Sequence, residues 1–278
     1  MKKRLLLIDG HNLLFQMFFG MPSPIPDKNG RDIKGVVGFV GAINRLLDLF
    51  APTHVAVLFD SESHNPRRDL LDEYKSNRPN FSDLPDAQNP FTILEDVYRA
   101  LDILGIKHTE IVNDEVDDVI ATYALSKDAE LEIYVSSFDS DYFQLISDTV
   151  KIVRYRGKCT LICDEKYIKE KLGIPPSLYA DHKALVGDGS DNVKGIKGIG
   201  PKTATALINS FGGLDGIYSN LNSVQSGRIR SMLEVGKDIA YRNLALIKLD
   251  DHAPIPFAAD EVGAPTKRFR TMEVVSML

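Results

Sequence analysis

Nine carboxylates in this chain lie where predicted strands end or predicted helices begin. They are Asp9, Asp60, Glu115, Asp117, Asp118, Asp139, Asp141, Asp188 and Asp191. Unit negative charges about 5 Å apart repel by roughly 3 kcal/mol per pair at an effective dielectric of about 20, so acids that converge on one point need divalent cations. All-oxygen ligation suits Mg²⁺ or Mn²⁺. Because this many acids exceed what one octahedral ion can use, we expect two ions.

Three short apolar runs explain why these acids should converge. Residues 5–8 lead into Asp9, residues 54–59 lead into Asp60, and residues 131–135 lead into the segment that contains Asp139 and Asp141. Apolar runs separated by helical stretches predict buried parallel strands with crossover helices, whose carboxyl ends share one sheet edge. A single strand-end Asp is more often a turn or helix N-cap residue, but three strands ending in this way favour a common site.

The densest group of acids, in residues 114–118, begins a predicted helix. Its apolar stripe runs from Val116 to Ala124, which places Asp117 and Asp118 off that stripe in the first turn. Acids also favour helix N-termini through the macrodipole, by about 0.3–1 kcal/mol each. Four acids in five residues exceed what this effect offsets against their mutual repulsion, so we favour the metal interpretation.

The composition is typical of a soluble intracellular enzyme. The chain has 278 residues and is 44% hydrophobic, which is enough for one large or two moderate domains. No run approaches the roughly 18 apolar residues of a membrane span, and the chain begins without a signal peptide, so we expect a cytoplasmic protein with no membrane partner. Cys159 and Cys163 have no second cysteine pair or nearby histidine cluster, so we expect reduced thiols and no zinc site.

The acidic net charge does not exclude a nucleic-acid partner. Removing the nine clustered acids from the formal charge of −6 leaves +3, and each bound divalent ion adds two more. Residues 67–79 carry Arg67, Arg68, Lys75 and Arg78, which could meet a phosphate backbone close to the metals. A mixed-charge segment is more often a solvated helix face. The polar, proline-containing residues that follow, up to Pro90, predict a mobile loop.

A glycine-rich segment follows the last two acids of the cluster. A P-loop is excluded because Pro201, and not Lys, follows the second glycine of its frame, Gly200. A helix-hairpin-helix would use Gly198 and Gly200 to bring backbone N–H groups to a DNA phosphate, with Lys202 and Thr203 in the next helix. Proline suits the first position of that helix. A plain glycine turn between two helices is the other interpretation.

These motifs occur in a characteristic order from about residue 4 to about residue 250. They are Ile8-Asp9-Gly10, Phe59-Asp60, residues 73–78, residues 115–120, Asp139-Ser140-Asp141, residues 187–192 and residues 195–204. The combination resembles the bacterial and phage 5′-nuclease (flap endonuclease) family, which includes the N-terminal domain of bacterial DNA polymerase I and free-standing paralogues. The resemblance implies a PIN-like α/β parallel sheet flanked by helices over residues 1–180, followed by a helical region carrying a helix-hairpin-helix over residues 181–278.

The resemblance also implies an activity and a set of site residues. The activity is metal-dependent hydrolysis of DNA at a 5′ flap, a nick or a free 5′ end in replication and repair, by a monomer. In the family, residues matching Asp9, Asp60, Glu115 and Asp117 form a first metal group, those matching Asp139, Asp141, Asp188 and Asp191 form a second, and Asp118 lies between them as a catalytic and metal-binding residue. Lys75 and Arg78 match catalytic basic residues beside the scissile phosphate, Arg67 and Lys183 match further basic residues that bind DNA, and K⁺ is expected at the hairpin.

Three departures from the family's commonest pattern are visible. Gln16 replaces an Arg, Phe138 and Ser140 replace the Gly and Lys of a Thr-Gly-Asp-Lys-Asp motif, and Gly189-Ser190 with Lys194 replace Ser-Ser and Pro. None removes a predicted metal ligand, so we expect activity with altered DNA binding. A catalytically weak protein that uses metals only to organise a branched-DNA-binding fold is the alternative.

Overall fold

The computed structural model describes residues 3–61, 66–77, 79–125, 131–258 and 261–278. In this part of the chain the main sheet has six strands, in the order β3-β2-β1-β4-β5-β6. The strands are β1 Lys3–Asp9, β2 His54–Asp60, β3 Lys107–Ile111, β4 Leu131–Ser136, β5 Val150–Arg154 and β6 Leu161–Cys163. Neighbours from β3 to β5 pair in parallel, and β6 is antiparallel to β5. The predicted α/β sheet is therefore confirmed, with one antiparallel edge strand.

The three apolar runs form the central strands because both faces of the sheet are covered. In β1, Leu5 and Leu7 pack in a core with α4, whereas Leu6 and Ile8 pack on the other face with the first three helices. The register pairs Ile8 with Ser136 and Asp9 with Leu58. The carboxyl ends of β1, β2 and β4 therefore reach the same edge of the sheet, as the sequence predicts.

Eleven helices occur in the described residues, and none of these is long and apolar enough to cross a membrane. They are α1 Gly10–Gly20, α2 Lys34–Phe50, α3 Leu94–Leu104, α4 Val116–Ala124, α5 Glu165–Leu172, α6 Tyr179–Val186, α7 Pro201–Phe211, α8 Leu214–Ser219, α9 Gly227–Val235, α10 Lys237–Ile247 and α11 Thr271–Met277. Short 3₁₀ turns at Phe81–Asp83 and Asp86–Gln88 occupy the segment predicted as a loop. Cys159 and Cys163 are free thiols, at the surface and in β6 respectively.

A second, helical core is formed by residues of α6 to α10. Between α6 and α7 the chain forms a small antiparallel ribbon, β7 Gly187–Asp188 and β8 Val193–Lys194, followed by the glycine turn. The buried Asn243 of α10 donates from Nδ2 to the carbonyls of Ala184, at 3.0 Å, and Lys194, at 2.9 Å. Helix α10 therefore joins α6, which precedes the ribbon, to the second ribbon strand, β8.

The C-terminal segment differs from the expected helical region over residues 181–278. The boundary at residue 180 falls inside α6, and the chain beyond α10 returns to the sheet. Leu249 and Val262 join the core on the α4 face, and Val274 of α11 is fully buried in the core on the α2 face. Widely spaced apolar residues in a polar tail carry no periodic pattern, so this return to the sheet cannot be predicted from the sequence.

Candidate metal centre

The first acid group is built where β1 and β2 end. Asp9 caps α1 by accepting a 3.0 Å hydrogen bond from the Asn12 backbone N–H, and its other oxygen accepts one from Ser137 Oγ at 2.9 Å. Asp60 accepts a 3.0 Å hydrogen bond from the backbone N–H of Val116, which joins the end of β2 to the start of α4. Both carboxylates are thus oriented by backbone groups of neighbouring elements.

Helix α4 contributes the next acids of this group. Glu115 occupies its N-cap position, and Asp117 accepts a 2.5 Å hydrogen bond from the hydroxyl of Tyr142. The predicted helix start is therefore confirmed. Burial, and after it the charges of Asp139, Glu115 and Asp9, raises the pKa of Asp117. Acids that follow β1 and β4 therefore lie close to the start of α4.

The second acid group combines the segment after β4 with the ribbon. Carboxylate oxygens of Asp141, Asp188 and Asp191 lie within 4.8 Å of one another, and all three residues are buried. Asp188 is oriented by the Ser190 backbone N–H at 2.9 Å and the Ser190 hydroxyl at 2.5 Å. The helical region therefore supplies two acids that reach the edge of the sheet, as the sequence-based architecture requires.

Asp139 connects the two groups. Its backbone N–H donates to Ser137 Oγ at 3.0 Å, and its Oδ1 accepts from the Asp141 backbone N–H at 2.8 Å. The charge of Asp139 also raises the pKa of Asp9 on one side and of Asp141 on the other. The predicted acids thus lie along one continuous cluster, in which Glu115, Asp118, Asp141 and Asp188 are paired with basic side chains.

Burial and mutual repulsion raise the pKa values of several acids in this cluster. Burial, followed by the charge of Asp60, raises the pKa of Asp9 to about 7. Burial raises the pKa of Asp141 to about 7 although Lys183 opposes the shift, and it raises the pKa of Asp117 well above its ordinary value. Carboxylates that resist ionisation at neutral pH gain free energy from a divalent cation. The donor set, which is all oxygen, fits Mg²⁺ or Mn²⁺.

Three basic side chains lie inside the cluster. Lys75 and Arg67 both pair with Glu115, and Lys183 pairs with Asp141 and Asp188. The side chains of Arg67 and Lys75 are only 11% and 12% exposed, which excludes the solvated helix face as their environment. Burial alone would raise the pKa of Asp188, but Lys183 and Ser190 lower it below its ordinary value. Arg78, the fourth predicted basic residue, lies outside the described residues.

Asp118 is buried, and it holds Arg67 in a bidentate pair. Its two oxygens accept from the guanidinium at 2.7 and 2.8 Å, and Oδ1 also accepts from the Asp250 backbone N–H at 2.8 Å. Asp118 therefore anchors a basic residue beside Glu115 and ties the C-terminal segment to α4. The C-terminal segment covers Asp118 although this residue lies off the apolar stripe of α4.

The basic segment before the loop is docked on the second acid group. The Lys75 backbone N–H donates to the Asp191 carbonyl at 3.0 Å, and Asn77 Nδ2 donates to the carbonyls of Gly189 and Ser190 at 3.2 and 3.3 Å. Lys75 has a φ of 55°, in the left-handed region. This backbone turn directs its ammonium to Glu115 of the first group while its main chain contacts the second.

The glycine turn places the predicted DNA-contact residues at the surface. Gly198 has a φ of 90°, and a Cβ there would lie 2.7 Å from Met232, so glycine is required by the fold. Gly200 is the N-cap of α7, and no atom lies within 4 Å of the Cβ that a larger residue would have. Pro201 occupies the first turn, Lys202 is exposed and Thr203 is half-buried. The fold therefore leaves open space in front of Gly200.

Two family models match consecutive parts of this chain. One, described as 5′-3′ exonuclease, N-terminal resolvase-like domain, matches residues 4–173, and the other, described as 5′-3′ exonuclease, C-terminal SAM fold, matches residues 174–269. The chain belongs to the 5′-3′ exonuclease family. The resemblance drawn from the sequence motifs is thereby confirmed, and the chain is an enzyme of this family of metal-dependent nucleases.

Curated relatives of this exonuclease are DNA polymerases I. That of Treponema pallidum is 33% identical over 266 residues, which are 94% of this chain and 26% of the polymerase. The thermostable enzyme of Thermus filiformis is 32% identical over 274 residues, which are 98% of this chain and 31% of that protein. The chain therefore spans less than a third of either polymerase, and the likeness concerns that part alone.

Solved structures show the same fold at lower identity. The T5 D15 protein, co-crystallised with metal ions, is 23% identical with a TM-score of 0.71, and the match covers 88% of this chain and 89% of that one. Human GEN1 in complex with Holliday junction DNA is 15% identical with a TM-score of 0.60, over 92% of this chain and 63% of that one.

Several residues that build the exonuclease site were missed by sequence analysis. Ser137 and Tyr142 orient acids, and Gln144 joins the Asp141 carbonyl, at 2.9 Å, to the Ile247 carbonyl, at 3.1 Å. Their positions directly beside the predicted acids were the available signal. Gln16, which departs from the family's commonest pattern, donates a 2.5 Å hydrogen bond from Nε2 to the Tyr155 carbonyl. This side chain therefore binds another part of the same chain.

Proposed function

We propose that this chain hydrolyses phosphodiester bonds of DNA that carries a 5′ flap, a nick or a free 5′ end. The observation that carries the proposal is the meeting of two acid groups at one sheet edge, each already paired with a basic side chain. The T5 D15 flap endonuclease, a relative in fold, was crystallised as a pseudo-enzyme-product complex with DNA and metal ions. We expect a cytoplasmic monomer that acts in replication and repair.

The two acid groups suit two divalent ions. Asp9, Asp60, Glu115 and Asp117 would hold one, and Asp139, Asp141, Asp188 and Asp191 would hold the other, with Mg²⁺ or Mn²⁺ as the candidates. When bound, such ions supply an activated water and stabilise charge on the attacking and leaving oxygens. The chain itself fixes the carboxylate oxygens that would hold the ions. Backbone N–H groups of Asn12 and Val116 orient Asp9 and Asp60. Hydroxyl groups of Ser137, Tyr142 and Ser190 orient Asp9, Asp117 and Asp188, respectively.

Lys75 is placed to act on the scissile phosphate. Its ammonium pairs with Glu115 and its main chain contacts Asp191, so it lies between the two acid groups. A phosphate bound there would compete with Glu115 for the ammonium, which would then stabilise negative charge in the transition state. We assign the same role to Arg78 on the family resemblance. Arg67 is held by Asp118 and would contribute a fixed positive charge.

The hairpin between α6 and α7 is the proposed duplex contact. The exposed N-terminus of α7 and the open space before Gly200 would let a DNA phosphate approach backbone N–H groups. Lys202 and Thr203 follow in the first turn of α7, where an ammonium and a hydroxyl could reach the same phosphate. A K⁺ ion bridging hairpin carbonyls and that phosphate is the further expectation from the family.

The alternative of a catalytically weak DNA-binding protein is less favoured by the site. A protein that only binds DNA gains nothing from carboxylates whose pKa values are raised by burial and mutual repulsion, as those of Asp9 and Asp117 are. Such a cluster destabilises the fold unless cations occupy it. A role in metal-dependent catalysis explains why the chain keeps an acid cluster that destabilises its fold.

Cleavage of a 5′-labelled flap duplex tests the proposal. With Mg²⁺ we expect cleavage that EDTA abolishes, and we expect Asp117→Asn and Asp191→Asn to lower the single-turnover rate by about 10²-fold or more. Each substitution keeps the shape of the side chain and removes a charge, so the melting temperature in EDTA should be unchanged or higher. Asp102→Asn, at an exposed position on α3, is the control. Flap binding without cleavage in the unmodified chain would favour the alternative.

A further inference from the structure

Phe138 lies at the edge of the metal centre, at a position where the family's commonest pattern has glycine. Its backbone is fixed on both sides, since its N–H donates to Asn12 Oδ1 at 2.9 Å and its carbonyl accepts from Arg154 Nη2 at 3.1 Å. The neighbouring residues, Ser137 and Asp139, both contact acids of the cluster. The half-buried ring is therefore held one residue away from the site, with part of its surface open to solvent.

Two guanidinium groups lie over this ring. Arg156 Cζ is 5.2 Å from its centroid and Arg154 Cζ is 6.0 Å from it, and Arg154 also lies 4.6 Å from the ring of Phe143. Arginine over an aromatic ring is a favourable and well-defined arrangement. We call Phe138, Arg154 and Arg156 the Phe138 platform.

The positive charge of the platform is not neutralised by carboxylates. In the described ranges, neither Arg154 nor Arg156 forms an ion pair with an acid, whereas Arg67, Lys75 and Lys183 all do. Arg154 Nε is buried and has no hydrogen-bond partner among those residues. Residues 151–171 contain seven Lys and Arg against three acids, although the chain has a formal charge of −6. This surface is therefore complementary to a polyanion.

The position of the platform on the sheet selects which part of a DNA substrate could reach it. Along the carboxyl edge, Asp60, Asp9 and Asp139 follow β2, β1 and β4, and Arg154 and Arg156 come next, at the end of β5. The platform therefore lies next to the metal centre, on the side farther from β2. Bases in a duplex are already stacked on each other, so only an unpaired nucleotide offers a free face to an aromatic ring.

We propose that the Phe138 platform binds unpaired nucleotides of the 5′ single strand beside the scissile phosphate. The solvent-open part of the Phe138 ring stacks on a base, and Arg156, which is exposed, contacts the adjoining phosphate. This inference rests on the proposed function and names a substrate-binding element of the same site. It makes the Gly-to-Phe departure a specificity determinant, which favours flapped DNA over a nicked duplex.

Fluorescence anisotropy in Ca²⁺, without cleavage, tests the platform on three substrates. They are a duplex with a short 5′ flap, the same duplex with a flap of abasic sugar-phosphate, and the nicked duplex without a flap. For Phe138→Gly we expect roughly 5- to 100-fold weaker binding of the normal flap, from the energy of stacking one base. Binding of the abasic flap and of the nick should stay within about twofold. Arg156→Ala should weaken binding of both flaps, since it removes a phosphate contact.

Two further variants separate stacking from packing and from general charge. Phe138→Leu keeps apolar volume against Arg154 and should lose flap affinity as Phe138→Gly does, with an unchanged melting temperature. Lys267→Ala removes a cation that lies 4.3 Å from the Phe269 ring, on the α2 face of the sheet, and should not affect any substrate. Equal loss for flap and nick, or no loss with either Phe138 variant, would overturn the platform. Failure of the unmodified chain to bind any of the three DNAs would instead refute the proposed function.

Discussion

Replacing Lys183 by methionine tests whether a built-in cation stabilises the second acid group. The Lys183 side chain is 11% exposed and its ammonium pairs with both Asp141 and Asp188. Carboxylate oxygens of these two acids and Asp191 lie within 4.8 Å of one another. At that separation and an effective dielectric of about 20, each pair of charged acids repels by about 3.5 kcal/mol. Lys183→Met keeps most of the apolar stem and leaves this repulsion uncompensated.

The expected loss of stability is large in the metal-free protein. Removing one partner of a buried ion pair costs about 3–5 kcal/mol, and partial protonation of Asp141 limits the effect to that range. In a protein of this size about 2–4 °C accompany each kcal/mol, so the melting temperature in EDTA should fall by roughly 10 °C. Lys166→Met removes an exposed ion pair with Glu170 and, as the control, should change it by at most about 2–4 °C.

Divalent ions should reverse the effect. With Mn²⁺ at saturation, the variant should recover most of the lost melting temperature, because the ion replaces the missing positive charge. Calorimetric titration should also show about tenfold or more tighter Mn²⁺ binding at one site, since 1.4 kcal/mol of removed cation repulsion is worth a factor of ten. An equal fall of the melting temperature in EDTA and in Mn²⁺, with unchanged Mn²⁺ affinity, would show that Lys183 only fills space and would refute the reasoning.

Three other measurements follow from the site. Lys75→Ala should lower single-turnover cleavage by about 10²-fold with little change of flap affinity in Ca²⁺, and a matching loss of affinity would make Lys75 an ordinary phosphate contact. Gly200→Val should weaken duplex binding without lowering the melting temperature. Gly263→Val is the control, because Gly263 is equally open but lies at the opposite end of β2, and this variant should bind duplex DNA normally. Equal binding by both variants would show that the turn at Gly200 is structural and does not contact DNA. Because the pKa values of Asp9 and Asp141 are raised from 3.8 to about 7, their contribution to stability is lost as pH rises through about 7. The EDTA melting temperature should therefore be higher at about pH 5.5 than at about pH 8, with a smaller difference in Mg²⁺, and a rise with pH would contradict this assignment.

The positions of the strand-end acids could be predicted from sequence because they depend on local patterns. Short apolar runs separated by helical stretches are typical of buried parallel strands, and the carboxyl ends of such strands share one edge, so Asp9, Asp60 and Asp139 are expected to lie close together. The acid-rich start of α4 was visible for the same reason, since helix N-termini and apolar stripes are short-range features. The glycines of the hairpin were equally visible, but sequence alone left a plain turn as an alternative.

The partners of the charged side chains were decided by the tertiary structure. Lys183 precedes Asp188 by only five residues, yet its ammonium also pairs with Asp141, which comes from the sheet domain. Arg67 lies in a mixed-charge segment whose composition is typical of a solvated helix face. Only the packing of that segment against α4 shows that Asp118 binds the Arg67 guanidinium. Neither pairing follows from spacing along the chain.

The amino-acid sequence by itself determined the sheet, the edge at which the acids meet, and the kind of chemistry that their number demands. The tertiary structure alone decided that the C-terminal segment returns to the sheet, that Lys75 spans the two acid groups, and that Phe138 lies beneath Arg154 and Arg156. The reason is physical. Periodic patterns encode which face of an element is buried, whereas contacts between distant segments depend on how those faces pack and on where the remaining charges find their partners.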